Sequence, residues 1–221
     1  MKNMHIMIKF VEPALGTCNS NKDIHAEYIA SKAPDARSRE EEIAALGVDA
    51  VEEKDRTIFA KDDEGRPILW NYQIKGFFKE ACASLQRIKT EKCASASARK
   101  ELRAYKKVLD CLIEPHDGRC GRQIPLILPE GTEITILQRP LRAQTAQGER
   151  IALASSEMIT AGTTAEFYVK TPDDYVPAVR EWLAFGRMHG MSQWRNAGYG
   201  RFVFKVLDIE DAPEDQGADT W

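Results

Sequence analysis

The sequence contains no hydrophobic run that approaches the ~20 residues needed to cross a bilayer. Its N-terminal segment also lacks the basic region, long apolar core and small-residue cleavage site that together mark a signal peptide. These two absences predict a cytoplasmic protein without membrane contacts. With 43% hydrophobic residues, the chain still has enough apolar surface to bury a core.

The sequence has few cysteines and no C-x-x-C pair. The five cysteines are odd in number and scattered, which suits a reducing compartment. Cys111, His116 and Cys120 lie close enough in sequence to be considered as metal ligands, but a fourth ligand is not evident. The sequence therefore predicts no metal site and no cofactor.

The chain also lacks an excess of charge of either sign, since its formal net charge is −3. Its charges are nevertheless unevenly distributed. Six Lys or Arg residues and one acidic residue lie within 92–107, whereas acidic residues concentrate in 40–64 and 208–219. Further basic residues follow at Arg119, Arg122, Arg139, Arg142 and Arg150. A locally basic face that holds phosphates is compatible with this total, although a solvated helix face is the better explanation for any single charge.

Hydrophobic periodicity predicts an α+β chain. Alternating apolar residues indicate a first strand over 4–11, and the apolar stripe that begins at Ile74 indicates an amphipathic helix. Further helices are predicted over 24–33, 38–46, 99–113 and 177–188, and further strands over 124–128, 133–138, 151–160, 164–170 and 201–207. This order suits a ferredoxin-like (RRM-like) antiparallel sheet with helices on one face, plus a hairpin or loop extension.

The domain organisation follows from the same pattern. The sequence has no internal repeat, and no shift in composition divides it into two domains. Residues 1–209 are therefore predicted to form one domain with insertions at about 12–56 and 139–150, followed by a flexible acidic tail over 210–221.

The segment 185–204 carries closely spaced glycines together with Arg195, Arg201, Trp194 and Tyr199. Glycine allows close approach of a backbone to a ligand, arginine binds phosphate through its planar fork, and aromatic faces stack on bases. This glycine-rich loop therefore suggests that the backbone of a nucleic acid passes over it, and Gln193 in the same loop is a further predicted contact. A tight helix-to-strand turn with a tryptophan that only packs explains the same residues as well.

Two other basic features add to this hypothesis. Lys75 and Lys79 lie near the predicted start of a helix, where exposed N–H groups attract anions, but an amphipathic helix with solvated lysines has the same sequence. Residues 139–150 form a polar segment with Arg139, Arg142 and Arg150 and little to bury. Such a segment either stays mobile or becomes ordered against a partner.

Three stretches resemble the repeat-associated mysterious proteins (RAMPs), the RNA-binding subunits of CRISPR effector complexes. They are 66–79, similar to the family's strand–loop–helix segment; 158–167, similar to its late hairpin; and 190–202, similar to its glycine-rich loop. The proline-glycine-serine corner of the first motif is missing, and residues 193–196 replace part of the usual glycine run. The resemblance implies a ferredoxin-like RNA-binding fold, often extended by a thumb-like hairpin and assembled side by side along a strand. The combination with 33–35 and 139–143 is also similar to small prophage-encoded proteins.

Three functions are compatible with these features. The favoured prediction is a non-catalytic protein that binds single-stranded nucleic acid, with RNA preferred by resemblance and DNA not excluded by the residues. Its predicted contacts are Lys75, Lys79, Arg139, Arg142, Arg150, Gln193, Trp194, Arg195, Tyr199 and Arg201.

The first alternative is a metal-independent ribonuclease, for which His25 or His189 would be the acid or base and Asp35 a loose equivalent of the aspartate found in some relatives. The second is a protein-interaction role, in which the acidic segments contact the basic face of a neighbour. By resemblance, that neighbour is another copy of the chain or the subunits of a host CRISPR complex that a phage inhibitor or mimic would target.

Overall fold

The computed structural model of the protein describes residues 1–19, 56–87, 95–145 and 148–212, with backbone only for 19, 141–145 and 148–152. The helices predicted over 24–33 and 38–46, together with His25 and Asp35, lie outside the described residues.

The main sheet is antiparallel throughout. Its strands are β1 Lys2–Phe10, β5 Ala60–Lys61, β6 Pro67–Trp70, β7 Glu114–His116, β8 Gln123–Ile127, β11 Thr164–Thr171 and β12 Phe202–Asp211. They follow the order β12–β1–β11–β8–β6–β5, and β7 pairs with β11 beside β8. In β1, Met4, Ile6, Ile8 and Phe10 are at most 1% exposed, which confirms that the alternating apolar residues share one buried face.

The helices cover that buried face. They are α1 Asn71–Leu85, α2 Tyr105–Leu112 and α3 Val176–Phe185. Apolar residues of α1 and α3 meet over the sheet, for example Phe78 and Trp182, whose ring centroids lie 5.5 Å apart. The chain therefore runs strand–helix–strand–strand–helix–strand through β1, α1, β8, β11, α3 and β12, with the last strand beside the first. This path is the ferredoxin-like α+β fold that the sequence predicts.

A long β-hairpin extends from the sheet. It consists of β9 Thr135–Thr145 and β10 Gly148–Ile159, which are paired from Thr135↔Met158 to Thr145↔Gly148. The strands thus continue through 139–145 and 148–150, which the sequence suggested as a loop or hairpin arm. Since a cross-strand ladder pairs backbone groups, polar side chains do not prevent it.

The base of the hairpin forms a second sheet with short strands near the end of β1. Strand β10 pairs with β2 Ala14–Leu15 and with β4 Thr57–Ile58, and β4 pairs with β3 Cys18–Asn19. The hairpin is thereby attached to the segment that follows β1.

Further element boundaries also differ from the sequence prediction. Helix α1 begins at Asn71, because the Gln73 side chain accepts the Trp70 N–H at 2.7 Å, so Lys75 lies in its second turn. Helix α2 begins only at Tyr105, after two short 3₁₀ turns over Ala96–Ala98 and Lys100–Leu102. Strand β12 continues to Asp211 and includes the first two residues of the predicted tail, and 213–221 lie outside the described residues.

Candidate nucleic-acid interface

The glycine-rich loop, residues 186–201, has a defined backbone path between α3 and β12. Its two arms are joined by a hydrogen bond from Met191 N–H to Gly200 O at 2.8 Å. The loop is also attached to the segment after β1, since Gly200 N–H donates to Pro13 O at 2.7 Å and Val11 N–H donates to Arg201 O at 2.9 Å. These backbone hydrogen bonds therefore fix the conformation of the loop, so its side chains are positioned before any ligand binds.

Left-handed backbone conformations shape this loop. Positive φ angles occur at Gly190, Ser192, Trp194, Gly198 and Gly200. A Cβ on Gly200 would lie 1.7 Å from a backbone carbonyl oxygen of the opposite arm, so only glycine fits there. Trp194, with φ 54° and ψ 37°, occupies a region that a bulky side chain rarely adopts. Such strain at one residue points to a contact that its ring makes.

The ring of Trp194 joins the loop to the hairpin. It stacks on Tyr199 with ring centroids 5.1 Å apart and planes at 12°, and the Arg139 guanidinium carbon lies 4.4 Å from the Trp194 ring centroid. The Trp194 side chain is still 42% exposed. Arg139, which the sequence suggested in a different segment from Trp194 and Tyr199, therefore joins them in one stacked cluster, hereafter the Arg139–Trp194–Tyr199 cluster.

Two arginines of this region carry buried nitrogen atoms with no hydrogen-bond partner among the described residues. They are Nε and Nη1 of Arg139 and Nε of Arg201. Gly198 lies beside Arg201, since a Cβ built on it would be 3.8 Å from the guanidinium carbon. A guanidinium donates in its own plane, so Arg139 can still donate hydrogen bonds from its edge while its face lies on Trp194. Buried unpaired donors of this kind need an explanation, and an anionic oxygen is their strongest partner.

Arg195 has a different environment. Its Nη1 pairs with Oε2 of Glu80 on α1, and Oε1 of the same carboxylate lies 2.8 Å from Nε2 of His189. His189 also stacks on Phe185 at 5.2 Å. Sequence reasoning missed Glu80 because an acidic residue beside the apolar stripe of a helix usually faces solvent. This carboxylate offsets the positive charge of Arg195.

A groove of about 650 Å³ lies beside Arg195, between α1, the segment after β1 and the glycine-rich loop. Its lining includes apolar Leu15, Phe59, Leu69, Phe77 and Met191. Polar groups at the same groove are Thr17, Gln73, Glu80, Ser192 and Arg195. Because these residues come from distant parts of the chain, no local motif in the sequence marked the groove.

The remaining predicted nucleic-acid contacts lie apart from the Arg139–Trp194–Tyr199 cluster. Lys79 forms a 2.5 Å ion pair with Asp110 at the end of α2, and the Lys75 ammonium lies 3.4 Å from the Asp110 carbonyl oxygen. Both lysines thus meet a neighbouring helix. Gln193 lies within the loop and is partly exposed, whereas the side chains of Arg142 and Arg150 lie outside the described residues.

The structure does not bring Cys111, His116 and Cys120 together as a metal-binding cluster in the part of the chain that it describes. Cys111 and Cys120 are exposed, whereas His116 is 9% exposed. Its Nδ1 accepts the Gly118 N–H at 3.0 Å and its Nε2 donates to the Asn3 side chain at 3.1 Å. Both ring nitrogens are therefore occupied, and burial lowers the pKa of His116 below its ordinary value.

None of the described helices is long and apolar enough to cross a membrane.

No protein-family model and no curated protein matches the sequence. Among solved structures, the chain is similar to one chain of a type III-B Cmr-beta complex bound to cognate target RNA, with 10% identity and a TM-score of 0.48. This similarity covers 95% of the present chain and 60% of that one. A chain of a type IV-B CRISPR complex gives 11% identity and a TM-score of 0.45, covering 99% and 95%. Both neighbours are chains of CRISPR complexes. At these scores the similarity is a partial likeness of fold, and no activity follows from it.

Proposed function

We propose that the protein binds single-stranded nucleic acid, preferably RNA, without cleaving it. The glycine-rich loop and the hairpin hold the sugar–phosphate backbone between them. The observation that carries this proposal is the Arg139 guanidinium, which stacks on Trp194 while two of its buried nitrogens have no partner among the described residues. Phosphate oxygens supply the missing acceptors.

The contacts divide into phosphate binding and base stacking. Arg139 and Arg201 each meet one phosphate, and because the unpaired nitrogens are shielded, the loop and the hairpin separate slightly as the strand enters. Tyr199 lines a cavity of about 280 Å³ together with Gly198 and Pro13, where one base extends the stacked cluster. Two neutralised phosphates on a single strand correspond to a slope of log affinity against log salt of about −1.4.

The geometry ranks the predicted contacts. Arg195 and Lys79 are each paired with a carboxylate, so they contribute less net attraction for phosphate than the unpaired arginines. Arg142 and Arg150 remain predicted contacts, because they follow Arg139 along the hairpin.

The test is fluorescence anisotropy with labelled 30-nucleotide RNA and DNA over a series of KCl concentrations. Arg139→Glu and Arg201→Glu are each expected to weaken binding at least tenfold at low salt, since an attractive charge becomes repulsive. Arg103→Glu is the matched control, because Arg103 is exposed beside α2 and lines neither the loop nor the groove. Urea unfolding shows whether each variant is folded. The proposal fails if the wild-type protein does not bind at low salt, or if Arg139→Glu binds as well as Arg103→Glu does.

The same samples test the alternative functions. His189 is held by Glu80 and Phe185, which favours a structural role over proton transfer, so the labelled RNA is expected to remain intact. Cleavage that disappears in His189→Ala would instead support a ribonuclease. Native mass spectrometry with strands of increasing length tests assembly along the strand. Membership of the RAMP family, a prophage origin and CRISPR effector subunits as partners remain predictions from the motif resemblance.

A further inference from the structure

We propose that the groove beside Arg195 binds one unstacked guanine base of the nucleic-acid strand. This inference rests on the proposed function and adds sequence selectivity to it. The groove volume of about 650 Å³ lies in the range of sites for small organic ligands, which accommodates a base with its sugar. Tyr72 lines the groove with a 59% exposed side chain and offers an aromatic face to the base, while the buried side chains of Leu69 and Phe77 form part of the apolar lining.

Charge favours a base over a phosphate in this groove. The positive charge of Arg195 is offset by Glu80, to which it is bonded. A phosphate would be attracted to the arginine and repelled by the carboxylate at similar distance. A neutral group with both donors and acceptors satisfies both side chains, and a nucleobase edge is such a group.

Hydrogen-bond pattern distinguishes guanine from the other bases. Each Glu80 oxygen has accepted one bond, from His189 or Arg195, and retains acceptor capacity, while the guanidinium of Arg195 has donors beyond the Nη1 group that meets Glu80. Guanine presents the acceptor O6 beside two adjacent donors, N1–H and N2–H. The guanidinium thus donates to O6, and the carboxylate accepts from both donors. Adenine, cytosine and uracil each offer only one donor position on that edge, next to acceptors that repel the carboxylate.

Gly76 provides a way to block the groove without changing the fold. It lies on α1, lines the groove, and a Cβ added to it meets no atom within 4 Å. Gly76→Leu fills the space where the base would lie, whereas the matched control Gly76→Ala adds one methyl group. Both substitutions replace a helical glycine by a better helix former, so the melting temperature is expected to stay or rise.

The first measurement compares labelled nine-nucleotide RNAs by anisotropy: oligouridine, and the same strand with guanine or inosine at its centre. The wild-type protein and Gly76→Ala are expected to bind the guanine strand roughly tenfold more tightly than oligouridine, as one bidentate contact provides. Inosine lacks the N2 amino group and is expected to fall between the two. In Gly76→Leu the preference disappears, while affinity for oligouridine stays within about twofold of the wild-type value.

The second measurement uses free guanosine, which carries no phosphate, in a saturation-transfer NMR experiment with uridine as the control. Guanosine is expected to bind the wild-type protein and not Gly76→Leu. Binding of guanosine without binding of any oligonucleotide would overturn the proposed function and support the base site. Binding of every oligonucleotide with equal affinity, a preference that survives in Gly76→Leu, or equal binding of inosine and guanine would overturn the base site and leave the proposed function intact.

Discussion

Trp194 allows the strain in the loop to be measured separately from the contacts of its ring. Trp194→Ala removes the ring and keeps a Cβ in the left-handed conformation, whereas Trp194→Gly removes both. The ring contributes stacking on Tyr199, about 0.5–1.5 kcal/mol, and the contact with Arg139, about 0.5–1 kcal/mol at a partly exposed site. Trp194→Ala is therefore expected to lower the free energy of unfolding by about 1–2.5 kcal/mol.

Trp194→Gly loses the same contacts but recovers the backbone cost. A left-handed conformation costs a non-glycine residue roughly 1–2 kcal/mol, and glycine avoids this cost. Glycine also increases the conformational entropy of the unfolded chain, which offsets about half of the gain in stability. The glycine variant is thus expected to be more stable than the alanine variant by about 1 kcal/mol. Both are expected to lose affinity for oligonucleotide equally, because both remove the ring that holds Arg139.

Trp70 supplies the matched control, since its backbone is extended, with φ −79° and ψ 144°. The Trp70→Gly protein is expected to be less stable than the Trp70→Ala protein by roughly 0.4–1 kcal/mol, because the two differ in the conformational entropy of the unfolded chain and not in backbone strain. The glycine-minus-alanine difference should therefore have opposite signs at the two tryptophans in urea unfolding at 25 °C. The same sign at both positions would refute the strained conformation of Trp194.

Three further predictions concern the rest of the molecule. Gly200→Ala, whose Cβ would lie 1.7 Å from a carbonyl oxygen, should cost about 2–4 kcal/mol in urea unfolding, against about 1 kcal/mol for Gly65→Ala, which has positive φ but open space. Burial raises the pKa of Cys82 to about 11, so iodoacetamide at pH 8 should modify exposed Cys111 and leave Cys82 unmodified until the protein unfolds. Equal rates of modification at Cys82 and Cys111 in the folded protein would contradict this burial. The lowered pKa of buried His116 contributes stability above pH 6.5 that is lost as pH falls through the folded-state pKa, and His116→Gln should remove this component from a plot of unfolding free energy against pH.

The fold could be predicted from the sequence where one side of an element is buried. The alternation of Met4, Ile6, Ile8 and Phe10 determined the face of β1, because a shift by one residue would expose all four side chains. The hairpin strands could not be bounded in the same way. Their polar residues over 139–150 carry no alternating pattern, and their pairing is satisfied by backbone groups alone.

The candidate site could be predicted only as a set of residue types. Arginine and tryptophan in a glycine-rich loop are informative by their chemistry, but the contact between Arg139 and Trp194 depends on how the hairpin folds over the loop. The ion pair of Glu80 with Arg195 depends in the same way on the packing of α1 against the loop. Long-range contacts of this kind leave no periodic signal in either segment.

The pairing state of each basic side chain matters more for nucleic-acid binding than the number of basic residues. Lys79 and Arg195 already have carboxylate partners, so a phosphate would have to compete with an existing ion pair at either residue. Arg139 and Arg201 carry buried donors without partners among the described residues, so a phosphate adds hydrogen bonds there without breaking others. A net charge of −3 is therefore compatible with binding of a polyanion at one place, and we propose that this place is where the hairpin meets the glycine-rich loop.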